Sequence, residues 1–163
     1  GMVVDTQNFM TKTGVRTFEA AAFLRRNGAD VTRVRKLFRE NAAEYKAKAD
    51  AVSQAEIYRN AYAISICHSE GLASPTVVGA QAANELLDIR GVKASFVLTE
   101  YQNKLFFSAR SIDEVNVQVI MERMGGGGHL NIAGCQLENT SVEEGIIVLK
   151  RTLDKMIEEG EIS

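Results

Sequence analysis

Met124-Gly125-Gly126-Gly127-Gly128-His129 separates two stretches of regular pattern and decides how the larger part of this chain is read. Before it, Val117, Ile120, Met121 and Met124 recur at i, i+3, i+4 and i+7, which is one face of a helix. After it, Ala133 to Glu138 reads as a short strand. Four consecutive glycines lose more backbone entropy on folding than any other four residues. A helix cap followed by a turn would need only one of them. The tract is therefore expected to be a loop whose backbone must come close to something. Phosphate suits it, because glycine N–H groups can converge on an anion with no side chains in the way. His129 adds a donor that can carry charge, and Asn131 and Gly134 belong to the same group.

Outward from the tract, Val92–Tyr101 and Lys104–Arg110 read as two strands of a hairpin joined by a tight polar turn. On the second strand Leu105, Phe107 and Ala109 share one face, and Phe106, Ser108 and Arg110 share the other. An arginine at the end of a strand can fork onto a phosphate, with the Ser111 hydroxyl beside it. A surface arginine on an edge strand would show the same pattern. Ser141 and Glu144 form a capping box for a last helix, whose buried stripe is Val142, Ile146, Leu149, Leu153 and Met156.

Towards the N-terminus, Tyr62, Ile64 and Ile66 alternate with Ala63, Ser65 and Cys67, which predicts another strand. Ser74-Pro75 starts a helix with the stripe Val78, Ala82 and Leu86, closed by Gly91. Residues 1–59 are mostly helical in pattern. Thr17 caps a helix running to Asn27, Asp30 caps a short basic one to about Arg39, and Asn41 with Glu44 starts a long one to about Arg59. Ahead of these, Met2-Val3-Val4-Asp5 resembles the end of a buried strand that delivers an acid at its C-terminal edge, where α/β sheets commonly place their sites. A strand so close to the start leads us to expect a further part upstream. The chain thus divides into a segment 1–59 and an α/β domain 60–163.

The 163 residues are 45% hydrophobic, enough for a real core, and no run of about 18 apolar residues is long enough to span a membrane. No signal peptide is visible. Cys67 and Cys135 stand apart, without metal-ligand or redox spacing, and read as buried thiols in a reducing compartment. Residues 1–59 hold 11 Lys/Arg against 7 Asp/Glu, and residues 60–163 hold 8 against 14. An acidic domain argues against tight nucleic-acid binding, which usually needs a basic face. His68 has no acid or cysteine at ligand spacing, and no Ser/His/Asp or Cys/His set is evident.

Taken together, Phe107-Ser108-Ala109-Arg110-Ser111, the Gly125–His129 tract and Ala133-Gly134 resemble the DHHA1 domain of the DHH phosphoesterases. Val4-Asp5-Thr6-Gln7-Asn8-Phe9 and Arg16-Thr17-Phe18-Glu19-Ala20-Ala21 resemble the last motif of the DHH domain and the linker after it. The resemblance covers nearly the whole chain and runs most closely to the membrane-anchored bacterial cyclic-di-AMP phosphodiesterases. It implies a mixed β-sheet with flanking helices after a helical linker. It also implies a two-lobed enzyme, whose upstream DHH lobe holds two manganese ions that make a hydroxide nucleophile. Of that ligand set only Asp5 falls in this chain, so the chain by itself is expected to be inactive. Arg110, Ser111, Gly125, Gly126, Gly127, Gly128 and His129 would hold the substrate, a cyclic dinucleotide or short nucleotide. The whole protein would work at the cytoplasmic side of the cell membrane, anchored by upstream segments, and a homodimer is allowed. Two other members of the wider group stay open: a nanoRNase or phosphoadenosine-phosphate phosphatase, and a non-catalytic nucleic-acid-binding appendage. The Asp5 segment argues against the appendage.

Overall fold

The computed structural model describes residues 31–33, 41–112 and 114–163. Among these residues six strands form one sheet: β1 (Glu56–Tyr58), β2 (Tyr62–Cys67), β3 (Ala94–Tyr101), β4 (Lys104–Ser111), β5 (Gly127–Gly128) and β6 (Ile132–Glu138). Their spatial order is β1-β2-β3-β4-β6-β5. β2 and β3 are parallel and every other neighbouring pair is antiparallel, so the sheet is mixed, as expected. Four helices belong with it: α1 (Ala42–Ser53), α2 (Pro75–Leu86), α3 (Val117–Arg123) and α4 (Val142–Glu158). Residues 43–163 make one compact unit.

The alternation in β3 and β4 sorts their side chains between two cores. Phe96, Leu98, Leu105, Phe107 and Ala109 pack under α3 and α4 with Ile120, Met121, Leu149 and Leu153. Ala63, Cys67 and Val97 face the other way, against Val78, Ala82 and Leu86 of α2 and Ala51 of α1. Both faces of β2 and β3 are covered, which suits a parallel pair joined by a crossover helix. α2 is that crossover. At the far end of β3, Gln102 and Asn103 take φ of 52° and 63° between the paired Tyr101 and Lys104. Two left-handed residues make the turn that matches strand twist. The Ser141 hydroxyl accepts from the Glu144 N–H at 3.1 Å, which caps α4 as its sequence indicates.

Two helix limits differ from their sequence pattern. The helix expected to reach Arg59 ends at Ser53, and Glu56–Tyr58 instead pairs with β2. Tertiary pairing overrides helix propensity there, and Asp154 of α4 secures the strand end by accepting from Tyr58 Oη (2.6 Å) and Arg59 Nε (2.8 Å). The second helix ends at Leu86, not at Gly91. Gly91, at φ +92°, turns the chain into β3. The expected strand at Met2–Asp5 and the helix from Thr17 lie outside the described residues. Of the basic helix, Val31–Arg33 is helical and the rest lies outside them.

Candidate functional site

The glycine tract is not a loop. Gly125 takes φ +91° and its N–H donates to Glu122 O (3.0 Å), while the Gly126 N–H donates to Met121 O (2.8 Å). These two residues cap α3. Gly127 and Gly128 then pair with Gly134 and Ala133 as a short edge strand. The close approach expected of the tract is, at two positions, an approach to β6 of the same chain. A Cβ on Gly126 would collide with Gly134 O and come within 2.8 Å of Cys135 Cα. One on Gly128 would lie 2.5 Å from Ala133 Cα and 2.6 Å from Ile132 O. A Cβ on Gly127 would meet nothing within 4 Å. Gly125 is therefore explained by its dihedral, and Gly126 and Gly128 by packing. The fold does not explain Gly127.

Register places the other residues. Gly127 pairs with Gly134, Gly134 with Ser108, and Ser108 with Val97, so these positions share one face. On that face lies a cleft of about 480 Å³. Thr76 at the start of α2, Phe106 and Ser108 of β4, Gly125, Gly126, Gly134 and Gln136 line it. Of the residues singled out from the sequence, Ser108, Gly125, Gly126 and Gly134 border the cleft directly. Phe106, Gln136 and Thr76 were not among them. Phe106 shares the Ser108–Arg110 face by simple alternation, but which neighbours would stand beside it depends on strand order.

Arg110 lies on the same face and is 6% exposed. The alternative reading as a surface arginine on an edge strand is excluded, because β4 sits between β3 and β6. Its Nη1 donates to Ala109 O at 2.9 Å, and its Nε has no hydrogen-bond partner among the described residues. No carboxylate among them pairs with it. Burial pushes its pKa down, yet a guanidinium keeps its proton. Leaving a buried cation unpaired is costly, so one that persists calls for an anion from elsewhere.

Ser111 points to the opposite face. Its hydroxyl donates to Val115 O (2.6 Å), lies 3.3 Å from Leu130 O and accepts from Asn131 Nδ2 (2.9 Å). With the Ser111 N–H on Asn131 O (3.0 Å), these bonds hold the turn between β5 and β6. His129 opens that turn, exposed, its N–H donating to Ile132 O at 2.7 Å. The structure thus brings Arg110 and Gly127 to one face of the sheet, with Gly125 and Gly126 bordering the cleft and Ser111 fixing the turn that carries His129.

Asp5 lies outside the described residues. Among those described, no group of three or more His, Cys, Asp or Glu residues is placed to hold a metal, and His68 is exposed beyond the end of β2. The described residues do not fit a metal centre. Cys67 and Cys135 are free and buried, and burial raises the pKa of both, which keeps them as inert thiols.

Residues 61–159 match the DHHA1 domain family, and this chain belongs to it. The chain is 46% identical over 145 residues to cyclic-di-AMP phosphodiesterase PdeA of Listeria monocytogenes serotype 1/2a (strain 10403S), covering 88% of this chain and 22% of that protein. It is 41% identical over 162 residues to cyclic-di-AMP phosphodiesterase GdpP of Bacillus subtilis (strain 168), covering 98% of this chain and 25% of that protein. The chain therefore spans about a quarter of the length of these relatives. An exopolyphosphatase-related protein from Bacteroides fragilis shares the fold, with a TM-score of 0.71 at 22% identity over 96% of this chain and 48% of that one.

Proposed function

We propose that this domain is the substrate-gripping lobe of a phosphodiesterase that opens cyclic-di-AMP to a linear dinucleotide. The observation that carries the reading is Arg110, a buried guanidinium that no carboxylate of the described residues pairs, on the sheet face that also holds the cleft and the glycine strand. A substrate phosphate would supply the missing anion through charge-assisted hydrogen bonds. Gly127, the glycine that the fold does not require, leaves the backbone beside it bare for the same group. His129 would close over the phosphate or base from the adjoining turn, and Ser111 acts by holding that turn. The names of the PdeA and GdpP relatives support the choice of cyclic-di-AMP. Two manganese ions would belong to a preceding DHH lobe, with Asp5 as this chain's contribution. In this reading the whole protein is anchored in the cell membrane by segments before that lobe and works on the cytoplasmic side. No helix among the described residues is long and apolar enough to cross a membrane.

This division of labour makes the chain by itself inactive, because one carboxylate cannot hold a two-metal site. Incubated with cyclic-di-AMP and manganese and followed by chromatography, it should yield no linear dinucleotide above background. Turnover at enzyme-like rates would overturn the assignment of the metals to another lobe. In the full-length protein, Asp5→Asn should abolish most activity and lower bound manganese while leaving circular dichroism unchanged. Wild-type activity and metal content would reduce Asp5 to a strand-end residue.

A further inference from the structure

Phe106 is a large aromatic side chain that packs into neither hydrophobic cluster. It stands half-buried on the open face of β4, in register with Gln136 of β6, while its neighbour Phe107 fills the core beneath. Gln136 is exposed, and its amide makes no hydrogen bond to the described residues. The hydroxyls of Thr76 and Ser108, across and along the cleft, are likewise unengaged there. One cleft of about 480 Å³ thus gathers an unpacked ring, a free amide and two free hydroxyls over a floor left bare at Gly134.

This composition does not suit a phosphate. Among the described residues, no cationic side chain lines the cleft. It suits a flat heterocycle with a π face and an edge of donors and acceptors. Aromatic side chains on a sheet surface are stacking platforms for bases, and a glutamine amide can pair with the edge of adenine through one donor and one acceptor. The cleft's volume also falls within the range of small-molecule pockets. Arg110 lies two residues beyond Ser108 on the same face of the same strand, about 7 Å along it. The anion site and the cleft are therefore close enough for one nucleotide to use both.

We propose that the cleft between α2 and β6 is a nucleobase subsite, in which Phe106 stacks on an adenine and Gln136 reads its edge. The proposal rests on the phosphate reading of Arg110 and adds the determinant of which nucleotide is held. It assigns the two parts of a nucleotide to two places: phosphate to Arg110 and the glycine strand, base to Phe106 and Gln136.

The chain contains no tryptophan, so Phe106→Trp installs a single fluorescent reporter in the cleft. Adenosine and AMP should quench it, and ribose 5-phosphate should not. In amide chemical-shift titrations of the 163-residue chain, wild type should bind AMP more tightly than ribose 5-phosphate. Phe106→Ala should weaken AMP by about tenfold, the scale of a lost base stack, and leave ribose 5-phosphate unchanged. Phe106→Leu, which keeps apolar bulk without a ring, should behave as Phe106→Ala does and guards against a folding artefact. Gln136→Ala should narrow the preference for AMP over UMP. If AMP and ribose 5-phosphate bind alike, or if both Phe106 variants hold AMP as wild type does, the base subsite is overturned while the phosphate reading stands. If neither ligand binds wild type at millimolar concentration, both readings fall together.

Discussion

Arg110→Met should leave the thermal midpoint of the domain unchanged or raised, while weakening the use of cyclic-di-AMP proposed for the full-length protein at least tenfold. The two effects have one cause. Arg110 is 6% exposed, and among the described residues its Nε is unpartnered and its side chain hydrogen-bonds only to the carbonyl of the preceding residue. A desolvated cation without a carboxylate opposes folding, and an apolar side chain of similar length removes that penalty. A charge-assisted contact to a phosphate is worth about 1.5–3 kcal/mol, or about 10- to 150-fold in affinity. Differential scanning fluorimetry and steady-state kinetics read the two sides separately. A structural arginine would behave in the opposite way, with the midpoint falling and kinetics following stability. A clear loss of stability with unaltered kinetics in the folded fraction would remove Arg110 from the site.

The glycine tract should separate under alanine scanning into two classes. Gly126→Ala and Gly128→Ala should each destabilise the domain, because the new Cβ meets β6 backbone that cannot move without breaking strand pairing. Overpacking of this kind costs about 1–3 kcal/mol, and backbone neighbours put it at the upper end. Gly127→Ala has open space for its Cβ and no left-handed φ to satisfy, so it should fold with a wild-type midpoint. In the proposed site it should nevertheless weaken substrate binding, since a methyl group would then stand on backbone that the glycine leaves bare. Urea unfolding and binding titrations on the three variants distinguish the classes. A Gly127→Ala variant with wild-type binding would leave the tract as a packing device throughout.

Short-range pattern made much of the domain legible. The stripe in Val142–Met156 and the Ser141–Glu144 cap are contacts within one or two helical turns, so their spacing in sequence is their spacing in space. The β3–β4 hairpin is local in the same sense, and its two faces follow from alternation around Phe106 and Phe107. Glu56–Tyr58 was not legible, because three residues after an Ala- and Lys-rich run carry no strand signal of their own and become a strand only by adding to β2. The role of the individual glycines was equally hidden. Their entropy cost marked the tract as exceptional, but only β6 lying against Gly126 and Gly128 shows which of them the fold requires.

The sequence by itself thus determined most of the elements, the cap of α4, the two faces of the β3–β4 hairpin and the family to which the chain belongs. Those properties are written in residues near one another along the chain. Tertiary structure decided the rest. Strand order set β4 inside the sheet and so buried Arg110 without a counter-ion among the described residues. The pairing of β6 beside β4 brought Gln136 next to Phe106, and the return of α2 set Thr76 at the edge of the same cleft. These neighbours are about 30 residues apart in the chain, and loop closure between them is favoured only by the burial that the complete sheet provides.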